Sequence, residues 1–420
     1  MSDWYETRLG DIADICIGGT PSRAEASYWA STGEEGFPWV SISDLKSRTV
    51  SNTAESITAL GARNSNVKLV PCGTIMMSFK LSLGRIAFAG RDIYTNEAIA
   101  SFEVDTDKID KTFLFYQLPE VVKLAITDTA IKGATLNKAK LNELVIPHPE
   151  LVVQRKIAEI LSTIDNQIDA TQALIDKYTA IKQGMMADLF SRGIDPETKA
   201  LRPTFEEAPE LYHKTPLGML PKGWDVSDLG SISLRVTDGS HQAVSTVENG
   251  DIPFLFVSCV RGGKILWEKC SYISKEDYHL ISKGREPRKG DILYTAVGSY
   301  GHAALVSEDS EFSFQRHIAY IKPNNQFVDS SFLSEFLNSE QTKSWADRVA
   351  LGNAQKTVTL GELSKFPIVV PGKIEQEKIV GSLQAVNEVL ESEYANLSKL
   401  QQAKQGLMQD LLTGKVPVPA

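Results

Sequence analysis

The sequence predicts an α+β protein built as a tandem repeat, in which each copy holds an α+β domain followed by a long helix. The phrase KQGMMADLF of residues 182–190 returns as KQGLMQDLL at residues 404–412, about 220 residues later. Other segments recur at a similar offset, and heptad-spaced apolar residues follow each domain. Self-similarity at a long fixed period indicates duplicated structural units, so both copies should share one architecture.

Length and composition are those of an ordinary globular protein. A chain of 420 residues predicts two to four domains, with 42% apolar and 23% charged residues. There is no apolar leader and no run of membrane-spanning length, so a cytoplasmic location without a membrane partner is expected. The net charge of −9 argues against free, non-specific binding of nucleic acid. Any DNA contact must come from local basic patches or with the help of partners.

The recurring segments set the predicted domain boundaries. WYETRLGDIA at Trp4 resembles WDVSDLGSIS at Trp224, and the segment from Leu141 matches the segment from Leu360, with extra residues in the second copy. The predicted α+β domains span 1–149 and 223–371, and the long helices span 150–192 and 372–414. A proline-rich connector at 193–222 is expected to be extended, and residues 415–420 form a short tail.

Short apolar or β-branched runs predict the strands of both domains. They include TIMMSF, RIAFAG and AIASFEV in the first domain, and DILYTAV, AALVS and HIAYIKP in the second. Helical segments follow at KTFLFYQLPEVVKLAI and SSFLSEFLNSEQTKSWADRVAL. Each domain therefore combines strands with helices.

Each long helix carries a heptad repeat over about 33 residues, which predicts a coiled-coil seam. Lys182 and Lys404 interrupt the two repeats at equivalent places. The alternative is that two amphipathic helices pack independently, each on its own domain. The predicted seam consists of Ile157, Leu161, Ile164, Ile168, Ile175, Met185 and Leu189 in the first helix, and Ile379, Leu383, Val386, Leu390, Leu397, Leu407 and Leu411 in the second.

The order of these parts resembles the specificity (S) subunit of type I restriction-modification systems. The long helices begin with PELVVQRKI, which contains Gln154, and PGKIEQEKI, which contains Gln376. The segment TPLGMLPKGW of residues 215–224 is also typical of that family. The resemblance covers essentially the whole chain, although the first copy lacks a P-x-G-W motif before Trp4.

This resemblance implies a function. Each α+β domain would be a target recognition domain that reads one half of a split, asymmetric site in double-stranded DNA. The two helices, conserved in the family, would pair as an antiparallel coiled coil with pseudo-two-fold symmetry. Two modification subunits would supply S-adenosylmethionine-dependent adenine methylation, and restriction subunits would add cleavage driven by ATP with Mg²⁺. The chain itself would bind no cofactor, and the sequence leaves open whether restriction subunits accompany it.

An antiparallel pair of helices about 50 Å long could set the separation of the two half-sites. Half-sites one helical turn apart, roughly 34 Å, would let both domains approach one face of the duplex.

Polar loops that recur in both domains are the candidates for DNA contact. Amides and arginines read base edges, whereas lysines and hydroxyls hold phosphates. The alternative is that these residues only solvate turns. The first domain offers Thr20, Ser22, Arg23, Lys80, Ser82, Arg85, Asn96, Glu97, Thr135, Asn137 and Lys138. The second offers Ser240, His241, Ser299, Tyr300, His302, Gln315, Arg316, His317, Asn353, Gln355 and Lys356.

Two further inferences concern the second domain. Basic stretches at Arg261, Lys264, Arg285, Arg288 and Lys289 suit phosphate contacts and equally suit a solvated face. GNAQKT of residues 352–357 is aligned with GATLNK of residues 133–138, which pairs the last loops of the two domains.

Catalytic motifs are missing from the sequence. It has no methyltransferase cofactor loop, no GxxxxGK[ST] phosphate loop and no histidine spacing typical of a metal site. We therefore expect a non-catalytic chain without a metal. The remaining alternative is a stand-alone DNA-binding regulator or scaffold without restriction partners.

Overall fold

A computed structural model describes residues 4–31, 35–127, 136–248, 250–352 and 355–419. The chain forms two compact units, Met1–Gln172 with Ala395–Ala420, and Ala173–Tyr394. Each unit therefore contains one α+β domain, the first half of one long helix and the second half of the other.

The first unit is built on two sheets, with strand orders β2-β10-β7-β8-β4 and β5-β3-β9-β6, and β1 pairs with β11. Its strands are β1 (Tyr5–Arg8), β2 (Ala13–Ile17), β3 (Phe37–Val40), β4 (Thr49–Val50), β5 (Glu55–Ile57), β6 (Leu69–Val70), β7 (Ile75–Ser78), β8 (Ile86–Ala89), β9 (Ile93–Thr95), β10 (Ile99–Val104) and β11 (Val145–His148). Its shorter helices are α1 (Leu9–Ile12), α2 (Ala59–Arg63), α3 (Lys111–Thr127) and α4 (Lys138–Glu143).

The second unit repeats this plan. Its strands are β12 (Tyr212–Thr215), β13 (Gly218–Pro221), β14 (Asp225–Asp228), β15 (Ser233–Asp238), β16 (Ile252–Leu255), β17 (Val260–Arg261), β18 (Lys264–Ile265), β19 (Ser271–Ile273), β20 (Ile292–Thr295), β21 (Ala303–Leu305), β22 (Ser313–Phe314), β23 (Ile318–Pro323) and β24 (Pro367–Val370). Its shorter helices are α6 (Lys275–Ile281), α7 (Ser330–Leu337), α8 (Glu340–Val349) and α9 (Leu360–Ser364). The sheet β15-β23-β20-β21 matches β2-β10-β7-β8.

Strand pairing confirms the predicted α+β tandem repeat. The parallel pair of β3 and β9 returns as the parallel pair of β16 and β22. The antiparallel pair of β1 and β11 returns as β14 and β24, immediately before the long helix in each copy.

The long helices are α5 (Leu151–Ser191), with 41 residues, and α10 (Lys373–Leu411), with 39. Both exceed the length counted from the heptads, because the turns that precede Ile157 and Ile379 are also helical. In the first unit, Ile157 and Leu161 share a core with Leu411. In the second unit the end of α5 shares a core with the start of α10. The predicted antiparallel pairing is therefore confirmed.

The heptad residues differ in burial. Those buried are Ile157, Leu161, Ile164, Ile175, Leu189, Ile379, Leu383 and Leu411, and those half-buried are Ile168, Met185, Val386, Leu390, Leu397 and Leu407. Met186, which lies outside the predicted seam, is more buried than Met185. Most of the buried members belong to cores that include sheet residues and α3 or α7, so the domain as well as the partner helix determines burial.

A buried glutamine ties the start of α10 to its domain. The Oε1 atom of Gln376 accepts a hydrogen bond from Asp329 N at 2.7 Å, and its Nε2 donates to Pro371 O at 2.8 Å. Asp329 is the N-cap of α7, where its carboxylate accepts from Phe332 N at 2.9 Å. One amide thus joins the first turn of a domain helix to Pro371, two residues before the long helix begins.

Gln154 makes the same bonds in the first unit. Its Oε1 accepts from Asp110 N at 2.7 Å, and its Nε2 donates to Pro149 O at 2.8 Å. The Asp110 carboxylate accepts from Phe113 N at 2.9 Å, at the start of α3. The proline–glutamine spacing in the sequence therefore has a structural cause in both copies.

Lys404, which interrupts the heptads of α10, holds a polar cluster in the first unit. Its Nζ lies 2.6 Å from the Asp165 carboxylate on α5. The Tyr116 hydroxyl on α3 donates to the other oxygen of Asp165 at 2.6 Å. The cluster thus joins both long helices to the domain.

Lys182 forms the matching cluster in the second unit, with its charges rearranged. Its Nζ lies 3.0 Å from the Glu335 carboxylate on α7, and Asn387 Nδ2 on α10 donates to Glu335 at 2.8 Å. The acid belongs to the domain here, whereas in the first unit it belongs to the long helix.

The sequence predicts an extended connector at 193–222, but the connector is not extended throughout. It contains a 3₁₀ turn at Pro209–Leu211 and the hairpin of β12 and β13. Arg202 forms a buried ion pair with Glu375, with a second N–O distance of 3.0 Å. Prolines predict an extended chain, but those of the connector lie in or beside ordered turns.

The helical segment predicted in the second domain is divided into two helices. Helix α7 ends at Leu337, and Ser339 caps α8 by accepting from Thr342 N at 3.3 Å. The apolar and polar pattern continues across this break, so periodicity did not reveal it.

The insertion predicted in the second copy is wrong. Asn137 caps α4, and Thr359 caps α9 in the same way. Strands β11 and β24 then begin at the same distance from these caps. Leu141 therefore corresponds to Leu363, not to Leu360, and this segment aligns without a gap.

Gln376→Leu should lower the free energy of unfolding by about 3 kcal/mol, because it leaves a buried N–H and buried carbonyls without partners. Urea denaturation measures the change. Gln384→Leu, at an exposed position on the same helix, is the control and should be nearly neutral. Equal stability of the two variants would show that the buried amide is not a structural tie.

Candidate nucleic-acid interface

Two hairpin loops, one in each domain, have the same main-chain geometry. Between β7 and β8, Gly84 N donates to Ser78 O at 2.9 Å, and between β20 and β21, Gly301 N donates to Thr295 O at 3.0 Å. The frame is thus independent of most side chains. The candidates it presents are Lys80, Ser82 and Arg85 in the first domain and Ser299, Tyr300 and His302 in the second.

A left-handed residue forms part of each hairpin loop. Leu81 has a φ of 57°, and Gly298 at the matching position has a φ of 75°. A non-glycine residue in this region costs about 1 kcal/mol. Leu81 is nevertheless 90% exposed, so it gains almost no burial in return. The loop keeps its shape in spite of this local cost.

Glycines bring two further loops into direct contact in each domain. A Cβ on Gly18, after β2, would lie 2.2 Å from Thr95 O, and a Cβ on Gly239, after β15, would lie 2.2 Å from Phe314 O. No side chain fits at such distances. The loop after β2 or β15 therefore lies directly against the loop before β10 or β23.

Main-chain hydrogen bonds join these loops into one surface in each unit, here called the loop surface. In the first unit, Gly19 N donates to Thr95 O at 2.8 Å and Phe79 N donates to Ala98 O at 3.0 Å. In the second unit the bonds run from Arg316 N to Ser240 O (3.0 Å), from Ala296 N to His317 O (2.9 Å) and from Gly298 N to Lys356 O (2.9 Å). Loops far apart in sequence, which were predicted separately, thus lie together.

The loop surface of the second unit carries exposed cations. Arg316 and Lys356 are exposed, as are the polar side chains of Ser299 and Gln355. Lys343 of α8 lies beside the hairpin, since a Cβ on Gly301 would lie 4.0 Å from its Cγ. Such cations suit phosphate groups, and Arg and Gln also suit base edges.

Two histidines of this surface are held neutral. The pKa of His302 is lowered by burial and then by the nearby Arg261 and Lys343. The pKa of His317 is lowered by burial and by Arg316. Because a lowered histidine pKa favours the uncharged ring at neutral pH, each imidazole presents one donor and one acceptor.

Other candidates in the second unit have partners within the protein. Ser240 is buried, and its Oγ accepts from the main-chain N two residues on at 3.1 Å. The Tyr300 hydroxyl donates to Asp347, and His241 lies 2.6 Å from Asp238. Ser240 is thus a turn residue and cannot face DNA in this conformation.

The basic stretch around β17 and β18 is also internally paired. The Arg261 guanidinium donates to Val257 O at 3.1 Å and to Val260 O at 2.7 Å. Lys264 forms an ion pair with Glu391 of α10. These two residues therefore hold the hairpin in place, unlike the exposed Arg288 and Lys289.

In the first unit, Arg23 is held rigidly. Its guanidinium forms a two-pronged ion pair with Glu55, with an NH2–Oε2 distance of 2.9 Å, and stacks 3.7 Å from the centre of the Trp29 ring. The pKa of Glu55 is lowered chiefly by its hydrogen bond to Arg23. The arginine is fixed in one direction, although more than half of its side chain is exposed.

The remaining candidates of the first unit differ in their partners and in their exposure. The Thr20 hydroxyl donates to the Glu97 carboxylate, whereas the side-chain oxygen of Asn96 accepts from Ala98 N at 3.0 Å. Lys80 is half-buried with its Nζ 5.5 Å from the Phe79 ring centre. The side chains of Ser22, Ser82, Arg85 and Glu97 are exposed.

The correspondence predicted between the last loops of the two domains is wrong. Since Asn137 matches Thr359, Gln355 and Lys356 match residues 133 and 134 rather than Asn137 and Lys138. Residues 133 and 134, with Thr135 and Asn353, lie outside the described residues. Asn137 is a helix cap that accepts from Lys140 N, while Lys138 is exposed.

Sequence reasoning missed several residues of the loop surfaces. Glu55 and Trp29 orient Arg23, and Lys343 and Asp347 reach the hairpin from α8. No motif spacing marks them, because only the folded sheets and helices bring them to these loops.

Two broader findings concern the part of the chain that the structure describes. Within it, no group of three His, Cys, Asp or Glu side chains is placed to hold a metal ion. No helix in the same residues is long and apolar enough to span a membrane.

Comparison with known proteins agrees with this geometry. Residues 1–179 and 221–402 match the family model described as type I restriction modification DNA specificity domain. The specificity subunit of the type I restriction enzyme MjaVIII from Methanocaldococcus jannaschii is 24% identical over 426 residues, which cover 99% of this chain and 93% of that protein. The EcoBI specificity subunit from Escherichia coli is 27% identical over 293 residues, covering 68% and 60%.

A solved structure shares the fold. The crystal structure of a type I restriction-modification S subunit from M. genitalium aligns with a TM-score of 0.59 at 16% identity. The alignment covers 100% of this chain and 97% of that one. The paired long helices and the two α+β domains are thus a known architecture.

Gly239→Ala should destabilise the second unit by about 2 kcal/mol, because the new methyl group overlaps Phe314 O. A Cβ on Gly184, on α5 in the same unit, meets nothing within 4 Å. Gly184→Ala should therefore raise the free energy of unfolding by at most about 1 kcal/mol, through its higher helix propensity. Chemical denaturation of both variants shows whether each substitution lowers or raises the free energy of unfolding. A harmless Gly239→Ala would contradict the close loop contact.

Proposed function

Because the chain belongs to the type I restriction modification DNA specificity family, we propose that it is the DNA-recognition subunit of a type I restriction-modification complex. Each loop surface reads one half of a split, asymmetric target in double-stranded DNA. The long paired helices join the two readers and dock the other subunits.

One observation carries this proposal: the same loop frame occurs twice with different side chains. Asn96 and Glu97 in the first unit stand where Gln315 and Arg316 stand in the second. The main-chain bonds around them repeat within 0.1 Å, from Asn96 N to Val40 O (3.0 Å) and from Gln315 N to Leu255 O (3.1 Å). A shared frame with different reading groups suits two unlike half-sites.

Partners supply the chemistry. Two modification subunits bring S-adenosylmethionine and methylate adenine, and restriction subunits, where present, bring ATP and Mg²⁺ for translocation and cleavage. This chain contributes recognition rather than catalysis. Its net charge of −9 supports a need for partners, since sequence-independent attraction to phosphates falls with acidic charge. We expect the complex to act in the cytoplasm, where the cell's DNA lies.

Co-expression with the neighbouring modification gene, followed by mapping of methylated adenines, tests the proposal. A bipartite motif that depends on this chain supports it. Specific DNA binding by the chain alone, without any methylation in the presence of that gene, would favour a stand-alone regulator. Methylation by the purified chain alone would overturn the non-catalytic assignment.

Replacing residues 216–371 with the matching domain of a relative should change one half of the methylated motif and leave the other unchanged. The donor domain should carry an acid at the position of Glu335, so that Lys182 keeps its partner. Sequencing of methylated DNA gives the result. A change in both halves, or in neither, would refute the assignment of one reader to each unit.

Arg316→Ala should act in that same half and cost about 1–3 kcal/mol at one base pair. Lys356→Ala should instead weaken binding evenly and reduce the slope of log K against log salt by about one. Binding of the complex to single-base-pair variants at several salt concentrations separates the two roles. If Lys356→Ala altered the motif, its assignment to phosphate would be wrong.

A further inference from the structure

Equivalent places in the two loop surfaces carry opposite charges. Glu97 directly follows Asn96, as Arg316 directly follows Gln315, and the main-chain bonds of Asn96 match those of Gln315. Both charged side chains are exposed. The frame therefore presents an acid in one unit at the place where it presents a base in the other.

The Glu97 carboxylate is ionised and fixed in direction. The Thr20 hydroxyl donates a hydrogen bond to Oε2 of Glu97. This hydrogen bond is the main cause that lowers the pKa of Glu97, and the nearby Lys80 and Arg23 lower it further. At neutral pH the side chain is thus a pure acceptor with free lone pairs beside two cations.

A fixed carboxylate on a DNA-reading surface repels phosphates, so it has to meet a donor on the bases. In the major groove the exposed donors are the amino groups of cytosine and adenine. Adenine places the N7 acceptor beside its amino group, and a carboxylate has no proton to offer that atom. Cytosine places only a C–H beside its amino group, which makes it the better partner.

We propose that Glu97 is a specificity-determining residue that accepts a hydrogen bond from the amino group of one cytosine in the half-site read by the first unit. Thr20 is a positioning residue that directs the carboxylate. This assignment rests on the proposed function. At the equivalent place of the other half-site, Arg316 has donors for the O6 and N7 atoms of guanine.

The two flanking cations fit this assignment. Cytosine pairs with guanine, whose major-groove edge carries two acceptors next to the cytosine amino group. Arg23 is held by Glu55 and Trp29 with more than half of its side chain exposed, and Lys80 lies close enough to Glu97 to affect its pKa. Donors for guanine therefore lie beside the acceptor for cytosine.

The test compares Glu97→Gln with the wild type, each assembled with its modification subunits. Binding is measured against every single-base-pair variant of the methylated motif. The wild type should prefer a C·G pair at one position of one half-site by about 10-fold or more. Glu97→Gln should reduce that preference to about 3-fold or less, because its amide can also present a donor. The other half-site should be read as before.

Non-specific DNA should bind the Glu97→Gln complex more tightly, since one negative charge is lost. Glu103→Gln, exposed on the β10 strand that follows the loop, removes the same charge and is the matched control. It should leave the preference intact. Thr20→Val keeps the carboxylate but removes its hydrogen bond, and should weaken the same preference only in part.

Each outcome decides between alternatives. An unchanged preference in Glu97→Gln, or a uniform gain in affinity without loss of discrimination, overturns the cytosine assignment while the proposed function stands. A wild-type complex that marks no split motif overturns both. Loss of discrimination at one base pair of one half-site, absent from the Glu103→Gln control, supports the inference.

Discussion

The buried amide of Gln376, repeated by Gln154, fixes where each long helix leaves its domain. A carboxamide offers a donor and an acceptor from one side chain, and both are needed here. The acceptor takes the N–H of the aspartate that caps a domain helix, and the donor reaches the proline carbonyl before the long helix. Glutamate would lack the donor and leucine would lack both groups. The direction of the helix is thus set by the domain itself in each unit.

With the helix fixed, the loops are free to differ only in their side chains. Main-chain bonds define the hairpins and join them to neighbouring loops, and Gly18 and Gly239 leave no room for a Cβ. Residues such as Arg85 and His302 contribute to this frame chiefly through their main-chain atoms. A recognition surface built in this way can change its reading groups without loss of the fold, which is what two unlike half-sites require.

Regular patterns in the sequence predicted the parts of the fold that depend on local periodicity. The strands, the heptads and the duplication belong to this class. The break at Ser339, the hairpin in the connector and the alignment of Asn137 with Thr359 depend on caps and tertiary contacts, which periodicity does not reveal. The same limit applies to the site. The sequence could name loops that lie together in the structure, but a polar residue such as Ser240 or Arg261 shows its internal partner only in the folded chain.

The lysines in the repeated helical phrase show how two similar units are nevertheless distinct. Tyr116 and Glu335 occupy equivalent places. Tyr116 lies six residues after Asp110, which Gln154 contacts, and Glu335 lies six residues after Asp329, which Gln376 contacts. Lys404 meets one carboxylate, supplied by α5, and Lys182 meets one carboxylate, supplied by α7.

Placing the second domain on the helix halves of the first unit would bring Glu335 and Asp165 against the single ammonium group of Lys404. The reverse exchange would leave Lys182 facing Tyr116 and Asn387 without any carboxylate. Uncompensated charge at a partly buried contact is costly in either arrangement. Each domain is therefore matched electrostatically to its own pair of helix halves, and this match preserves the order of the two readers along the chain.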